Sequence, residues 1–169
     1  MRTGDADSVA ALHAMSWRSA YRGIVPDKLL DGDLISERQA VWRERLQGES
    51  PQRFGWVAEN GGGGIAGFAY VRLQHDPVWG SLLDNLHVHP DIKGRGIGRQ
   101  LLQAVARQLG PAHTEPLHLW VLDANEPAKR FYARMGAEFA EHCISPFGEA
   151  MLPEWRCVWR DPSALLAHA

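Results

Sequence analysis

Apolar residues recur at helical intervals from the start of the chain. Val9, Leu12, Trp17 and Ala20 share one face behind Asp7, and this spacing predicts a helix over residues 8–21, capped by Asp7 and ended by Gly23 and Pro26. A second helix is predicted over residues 37–46, where Ser36 and Gln39 have capping-box spacing, Val41, Trp42, Arg45 and Leu46 form a mostly apolar face, and Gly48 is a stop. The pattern then turns to strands over 54–59 and 65–73, joined by a hairpin loop of four glycines, 61–64. A strand over 81–89, closed by Pro90, leads through a glycine-rich turn into a helix over 98–109 with Leu101, Leu102, Val105 and Leu109 as its buried stripe. Residues 117–122 are a further apolar strand. Asn125 then caps a helix with Pro127 in its first turn, which runs to Met135 and ends at Gly136. Alternation at 137–142 and 150–159 predicts two closing antiparallel strands. The expected class is therefore mixed α/β, a mixed sheet with helices on both faces.

Composition narrows the possibilities. A chain of 169 residues, 45% apolar and 22% charged, is expected to be a single domain over 1–169, burying roughly 70% of the surface its unfolded form exposes. Eighteen basic against twenty acidic residues leave a net charge of −2, so no global positive field exists for nucleic acid or an acidic membrane. Asp5, Asp7, His13 and Arg18 break up the first twenty residues, and no stretch approaches a membrane span, so neither export nor membrane insertion is expected. Cys143 and Cys157 lie in no CxxC or metal-ligand spacing and read as the thiols of a cytoplasmic protein.

Candidate chemistry concentrates in residues 88–99, where Gly94, Gly96 and Gly98 occupy alternate positions at a strand-to-helix junction. Small residues there let successive backbone amides face outward as a nest for phosphate oxygens, with Lys93, Arg95 and Arg99 adding charge at the rim. Gly-x-Gly-x-Gly fails the dinucleotide fingerprint, and no Gly-Lys-Ser/Thr follows for a triphosphate loop. The plain alternative is a glycine-rich connection without a ligand.

At this point the chain resembles the GCN5-related N-acetyltransferase family. The family's pyrophosphate loop, Gln/Arg-x-x-Gly-x-Gly/Ala, is matched by Lys93-x-x-Gly96-x-Gly98; the lysine departs from the pattern, keeping a charge without the glutamine or arginine geometry. Residues 125–137 match a second signature, Asn-x-x-Ala-x-x-x-Tyr-x-x-x-Gly-Phe/Ala, through Asn125, Ala128, Tyr132, Gly136 and Ala137. The segment 13–26, with Ser16-Trp17-Arg18, Tyr21-Arg22-Gly23 and Pro26, is similar to that of uncharacterised bacterial members. Members usually open with a strand, for which the first four residues leave only a stub.

The resemblance implies a mostly antiparallel sheet with a splayed central strand pair, and acetyl-CoA as co-substrate. His87, Val88, His89, Lys93, Gly94, Arg95, Gly96, Ile97, Gly98, Arg99, Asn125 and Lys129 are the cofactor-binding candidates, with the backbone near Val88 receiving the pantetheine arm and stabilising the oxyanion. Tyr132 is implied as the acid that protonates the departing thiolate. A phenol at about 10 gives its proton to a thiolate at about 8.5 at a cost of only about 2 kcal/mol. Without the signature, Tyr132 would read as packing beside Phe131 and Met135. For the base, Asp84, His87 and His89 are local candidates. The histone-acetyltransferase branch has its glutamate where Leu82 stands, and the arylalkylamine branch has histidines at the positions of Leu82 and Asp84, so Asp84 alone is ionisable at a position the family uses. Strand alternation would put Asp84 on the side of Leu82, Leu86 and Val88, and its role would require burial.

Trp17, Tyr21, Arg22 and Glu154, with Trp155, are candidates for the acceptor pocket, although seven tryptophans also suit ordinary packing. His87 and His89 share a strand face but lack a third ligand, so no metal is expected. The implied reaction is direct transfer, in a ternary complex, to the primary amine of a small molecule or peptide. Homodimerisation stays open, and the rival is a non-catalytic acyl-CoA-binding regulatory domain.

Overall fold

The computed structural model describes residues 1–167. A six-stranded sheet carries helices on both faces. Its strands are β1 (Arg53–Glu59), β2 (Ile65–Asp76), β3 (Gly80–Val88), β4 (Leu117–Leu122), β5 (Glu138–Phe147) and β6 (Ala150–Trp159), in the order β1-β2-β3-β4-β6-β5. All neighbours are antiparallel except β3 and β4, which run parallel because the connection between them crosses over through a helix. β2 and β5 run on past their expected ends at 73 and 142.

Helices α1 (Ala6–Tyr21) and α3 (Leu34–Arg45) lie antiparallel on one face, so that Asp7 meets Arg43 at 2.9 Å and His13 meets Trp42 at 3.0 Å. Trp42, Phe68, Tyr70, Val9 and Leu12 form the core beneath them. Both helices begin earlier than the sequence pattern suggests. Asp7 sits inside the first turn of α1, ion-paired, while Asp5 is the N-cap residue; in α3 the Asp33 carboxylate accepts the Ser36 N–H at 3.3 Å, so Ser36 is inside the helix. A one-turn helix, α2 (Asp27–Asp31), follows Pro26 and is too short to leave a periodic signature. Ahead of α1 the chain makes a 3₁₀ turn at Thr3–Asp5, and the Met1 amino group donates to the Gly55 carbonyl on β1 at 2.9 Å.

The other face carries α4 (Ile97–Leu109) and α5 (Glu126–Arg134) over the larger core of Leu83, Leu101, Leu102, Val105, Leu119, Cys157 and Trp159. The join of β3 to β4 positions the site. Gly80, at φ +68°, lets the start of β3 come so close to Pro116 that a side chain there would collide with the Pro116 carbonyl, and the Ser81 amide donates to that carbonyl at 3.0 Å. Pairing then covers only Ser81 with Leu117 and Leu82 with His118, after which the strands part.

Candidate functional site

The parting of β3 from β4 opens a cavity of about 1130 Å³, walled by β3 at Leu86, His87 and Val88, by β4 at Trp120 and Val121, and by α1 at Ser16, Ala20 and Tyr21. Backbone alternation decides which amides face it. The His89 amide donates to the Ala66 carbonyl on β2 at 2.8 Å, and the register pairs Gly67 with Val88 and Phe68 with His87. His87 and His89 are thus the positions bonded to β2, and the intervening Val88 turns its N–H and C=O toward the gap that β4 has left.

At one end of the cavity stands the N-terminus of α4. Gly94 and Gly96 are both left-handed, at φ +81° and +83°, a conformation that any residue with a Cβ adopts only under strain. Gly96 is the N-cap residue, no side chain caps the helix and no acid stands in its first turn, while Lys93, Arg95, Ile97, Gly98 and Arg99 all line the cavity. Uncapped amides, the positive end of the helix dipole and three cations together suit a pyrophosphate.

The opposite wall comes from α5. The Asn125 side chain accepts the Ala128 N–H at 3.3 Å and Pro127 occupies the first turn, which fixes where the helix starts and brings Phe131 and Tyr132 into the cavity. Tyr132 is 9% exposed, packs edge-on to Phe131 and Trp159, and burial raises the pKa of its phenol well above the usual range, so it stays protonated. Tyr21, across the cavity, is pushed up to about 12 by burial and then by the nearby Glu154 carboxylate.

Other expected site residues fall elsewhere. Asp84 does not line the cavity: the register slips between Tyr70/Asn85 and Val71/Leu83, making Asp84 the extra residue of a β-bulge. The bulge cancels simple alternation and turns Asp84 and Asn85 to the same helix, where Arg45 meets their side-chain oxygens at 2.8 and 2.7 Å, whereas Leu86 and Val88 pack on the α4 side. Lys129 is held by Asp123 at 2.8 Å and Glu126 at 2.7 Å, outside the cavity lining. His89 bonds the Asp91 amide at 3.3 Å, and Arg22 is taken up by Asp27 and Asp31 on the surface.

Trp17 and Glu154 stand just behind the lining. Trp17 packs on Tyr21 and Phe147, with the Arg38 guanidinium 4.8 Å above its ring; Glu154 accepts the Ser145 hydroxyl at 2.6 Å. Ser16 and Trp120 are cavity residues that sequence reasoning missed. A serine in the apolar stripe of α1 was the available sign for the first; Trp120 carried none beyond being aromatic. Cys157 is buried in the core, its thiol pushed up to about 12 by burial. Among the described residues no cluster of His, Cys, Asp or Glu could hold a metal ion, and no helix is long and apolar enough to cross a membrane.

A sheet that splays beside a glycine-rich helix N-terminus, with a tyrosine from the next helix facing the gap, defines an acyl-CoA N-acyltransferase fold. The profile described as the acetyltransferase (GNAT) family matches residues 17–137, and the chain belongs to that family, as an acetyl-CoA-dependent N-acetyltransferase. It is 31% identical over 135 residues to a probable N-acetyltransferase, Rv2775, of Mycobacterium tuberculosis (strain ATCC 25618 / H37Rv), covering 77% of this chain and 72% of that one. A GCN5-related N-acetyltransferase from Rhodopseudomonas palustris superposes with a TM-score of 0.72 at 22% identity, covering 92% of this chain and 89% of the other. The PaiA N-acetyltransferase of Thermoplasma acidophilum, solved in complex with coenzyme A, has a TM-score of 0.66 at 15% identity, covering 91% and 94%.

Proposed function

We propose that this chain transfers the acetyl group of acetyl-CoA directly to a primary amine of a small molecule or peptide, both substrates being held at once in the β3–β4 gap. The observation that carries this reading is that one cavity joins the uncapped α4 N-terminus, the gap-facing Val88 amide and the Tyr132 side chain. The pyrophosphate would lie on the Gly94–Gly98 amides beside Lys93, and the pantetheine arm would extend the sheet along Val88. As the neutral amine attacks the thioester carbon, the Val88 N–H would donate to the developing oxyanion. Collapse of the tetrahedral intermediate breaks the C–S bond, and Tyr132 would protonate the sulfur. Burial raises the phenol, so it still carries its proton when the thiolate forms, and a thiolate forming in the same desolvated cleft would be raised in the same direction.

A ping-pong route through cysteine has little support, because Cys157 is buried in the core and Cys143 is outside the cavity lining. Melting scans with acetyl-CoA, NAD and ATP, followed by an amine and peptide panel read by thiol release, test the proposal. Acetyl-CoA at 100 times its Kd should add about 2.7 kcal/mol of stability, and NAD and ATP should add none. Gly96→Asp should abolish that shift. No shift at millimolar acetyl-CoA would overturn the reading.

A further inference from the structure

We infer that His87, with Ser16 beside it, takes the proton from the acceptor amine, acting as a two-ended relay that never holds a net charge. The inference rests on reading the cavity as the site of acetyl transfer to an amine. His87 directly precedes Val88, whose amide faces the gap, and its ring lies on the α1 side of β3 and lines the cavity. Its Nδ1 is 2.9 Å from the Ser16 hydroxyl, which leaves Nε2 as the nitrogen able to meet an acceptor. Ser16, itself only 3% exposed, also lines the cavity, so both ends of the Nδ1–Ser16 link border the same space.

The surroundings say which kind of proton acceptor this is. Behind His87, the His13 ring stacks at 4.5 Å and Phe68 of β2 at 5.2 Å. His13 is buried and accepts the Trp42 indole N–H on its Nδ1 at 3.0 Å, so as a neutral ring it carries its proton on Nε2, which finds no partner. The charges that act on the pair are positive: Lys93 on His87 from the loop after β3, and Arg38 and Arg45 on His13 from α3. The nearest acid on β3, Asp84, is taken by Arg45. Burial, with Lys93 adding to it, holds His87 down at about 3, and burial, then His87 itself, then Arg38 and Arg45 hold His13 lower still.

A base that had to become imidazolium would fail in such a wall, but a relay does not. An N–H bond of the ammonium breaks as Nε2–H forms. Nδ1–H breaks as a new O–H forms on Ser16, and the proton Ser16 already carried passes to water in the cavity. The amine keeps its electron pair for the thioester carbon, one proton has moved to solvent, and exchange with cavity water restores the starting tautomer. Asp84, the candidate at a position used elsewhere in the family, is left with the structural task of holding Arg45.

The test compares wild type, His87→Gln, His87→Phe and Ser16→Ala, using acetyl-CoA and a primary amine the wild type accepts, with kcat and KM read by thiol release from about pH 6 to about pH 10. Melting scans with acetyl-CoA monitor folding and cofactor binding. His87→Gln, which can still bond Ser16 but cannot relay, should lose about 10²-fold or more in kcat near pH 7 while keeping the acetyl-CoA shift. That deficit should close as the pH nears the amine's own pKa, where free amine needs no relay, and Ser16→Ala should show the same pH pattern with a smaller loss. A deficit independent of pH, or full activity in both His87 variants, overturns the relay and leaves the acetyltransferase reading intact. If the wild type binds acetyl-CoA but releases no thiol with any amine, the functional reading falls and takes the relay with it.

Discussion

Gly98 and Phe131 are in contact across the cavity wall: a Cβ on Gly98 would stand 3.2 Å from the Phe131 Cζ. The first turn of α4 and the helix that carries Tyr132 are therefore set against each other by the absence of a side chain. Gly98→Val must displace the Phe131 ring, at about 1–3 kcal/mol of overpacking, or roughly 2–12 °C in Tm for a chain of this size. We expect it to lose acetyl-CoA stabilisation and turnover together. Gly94→Ala differs, because a Cβ there meets nothing within 4 Å and only the φ of +81° is strained. It should weaken acetyl-CoA affinity yet keep the rate at saturating cofactor, a contrast that melting scans and steady-state kinetics resolve.

Tyr132→Phe removes one hydroxyl and leaves the ring contacts with Phe131 and Trp159 in place. Folding and acetyl-CoA affinity should survive while kcat falls by about 10²–10⁴-fold, the range of general acid catalysis. A loss smaller than about tenfold would make Tyr132 a packing residue.

The glycine turn and the helix α5 that line the cavity were legible because their signals are local. Asn125, Pro127 and Gly136 frame α5 within a dozen residues, and the alternate glycines at 94–98 declare the turn that precedes α4. The wall formed by β3 and α1 depends on long-range facts. A bulge is invisible to a period-two reading, so Asp84 was expected beside Leu86 and Val88, whereas one extra residue in β3 turns it to Arg45. Ser16 and His87 are 71 positions apart, and nothing in either neighbourhood announces the other.

Asp84→Asn tests that correction. With its carboxylate gone, Arg45 keeps Asn85 but loses its ion pair, so a modest fall in Tm is expected. Any loss of turnover should be the same across the pH range, because the side chain would be acting through the fold. A deficit confined to low pH would restore Asp84 as the base.

Glu154 and Trp17 are expected to report on the acceptor. Glu154 is oriented by Ser145 and acts on Tyr21, which lines the cavity, while Trp17 braces Tyr21 from behind. Glu154→Gln and Trp17→Ala should raise the acceptor KM severalfold with little change in acetyl-CoA affinity. Equal losses of acetyl-CoA affinity in both variants would assign them to the fold instead.

Stability should fall earlier on acidification than carboxylates alone would make it. Burial holds His87 down at about 3, His118 at about 4 and His13 lower, and neighbouring cations add to each. In the unfolded chain these rings take up protons near pH 6.5, so below that pH the unfolded state binds more protons than the folded one. Their contribution is therefore complete above about pH 6.5 and is lost progressively as the pH falls toward the folded values near 4 and 3. The lowered carboxylates, Asp31, Asp76 and Asp123, contribute above their ordinary range near 3.8 and are lost only as the pH falls below it. Melting temperatures should consequently decline between about pH 6.5 and pH 5, where histidine is the group responding. His118 offers a clean probe, because its Nδ1 meets the Arg156 guanidinium at 3.0 Å and glutamine can keep an acceptor there without titrating. His118→Gln should make the decline of Tm in that interval shallower by roughly a third, one of three buried rings having been removed. An unchanged slope would show that His118 is already solvated and charged in the folded protein.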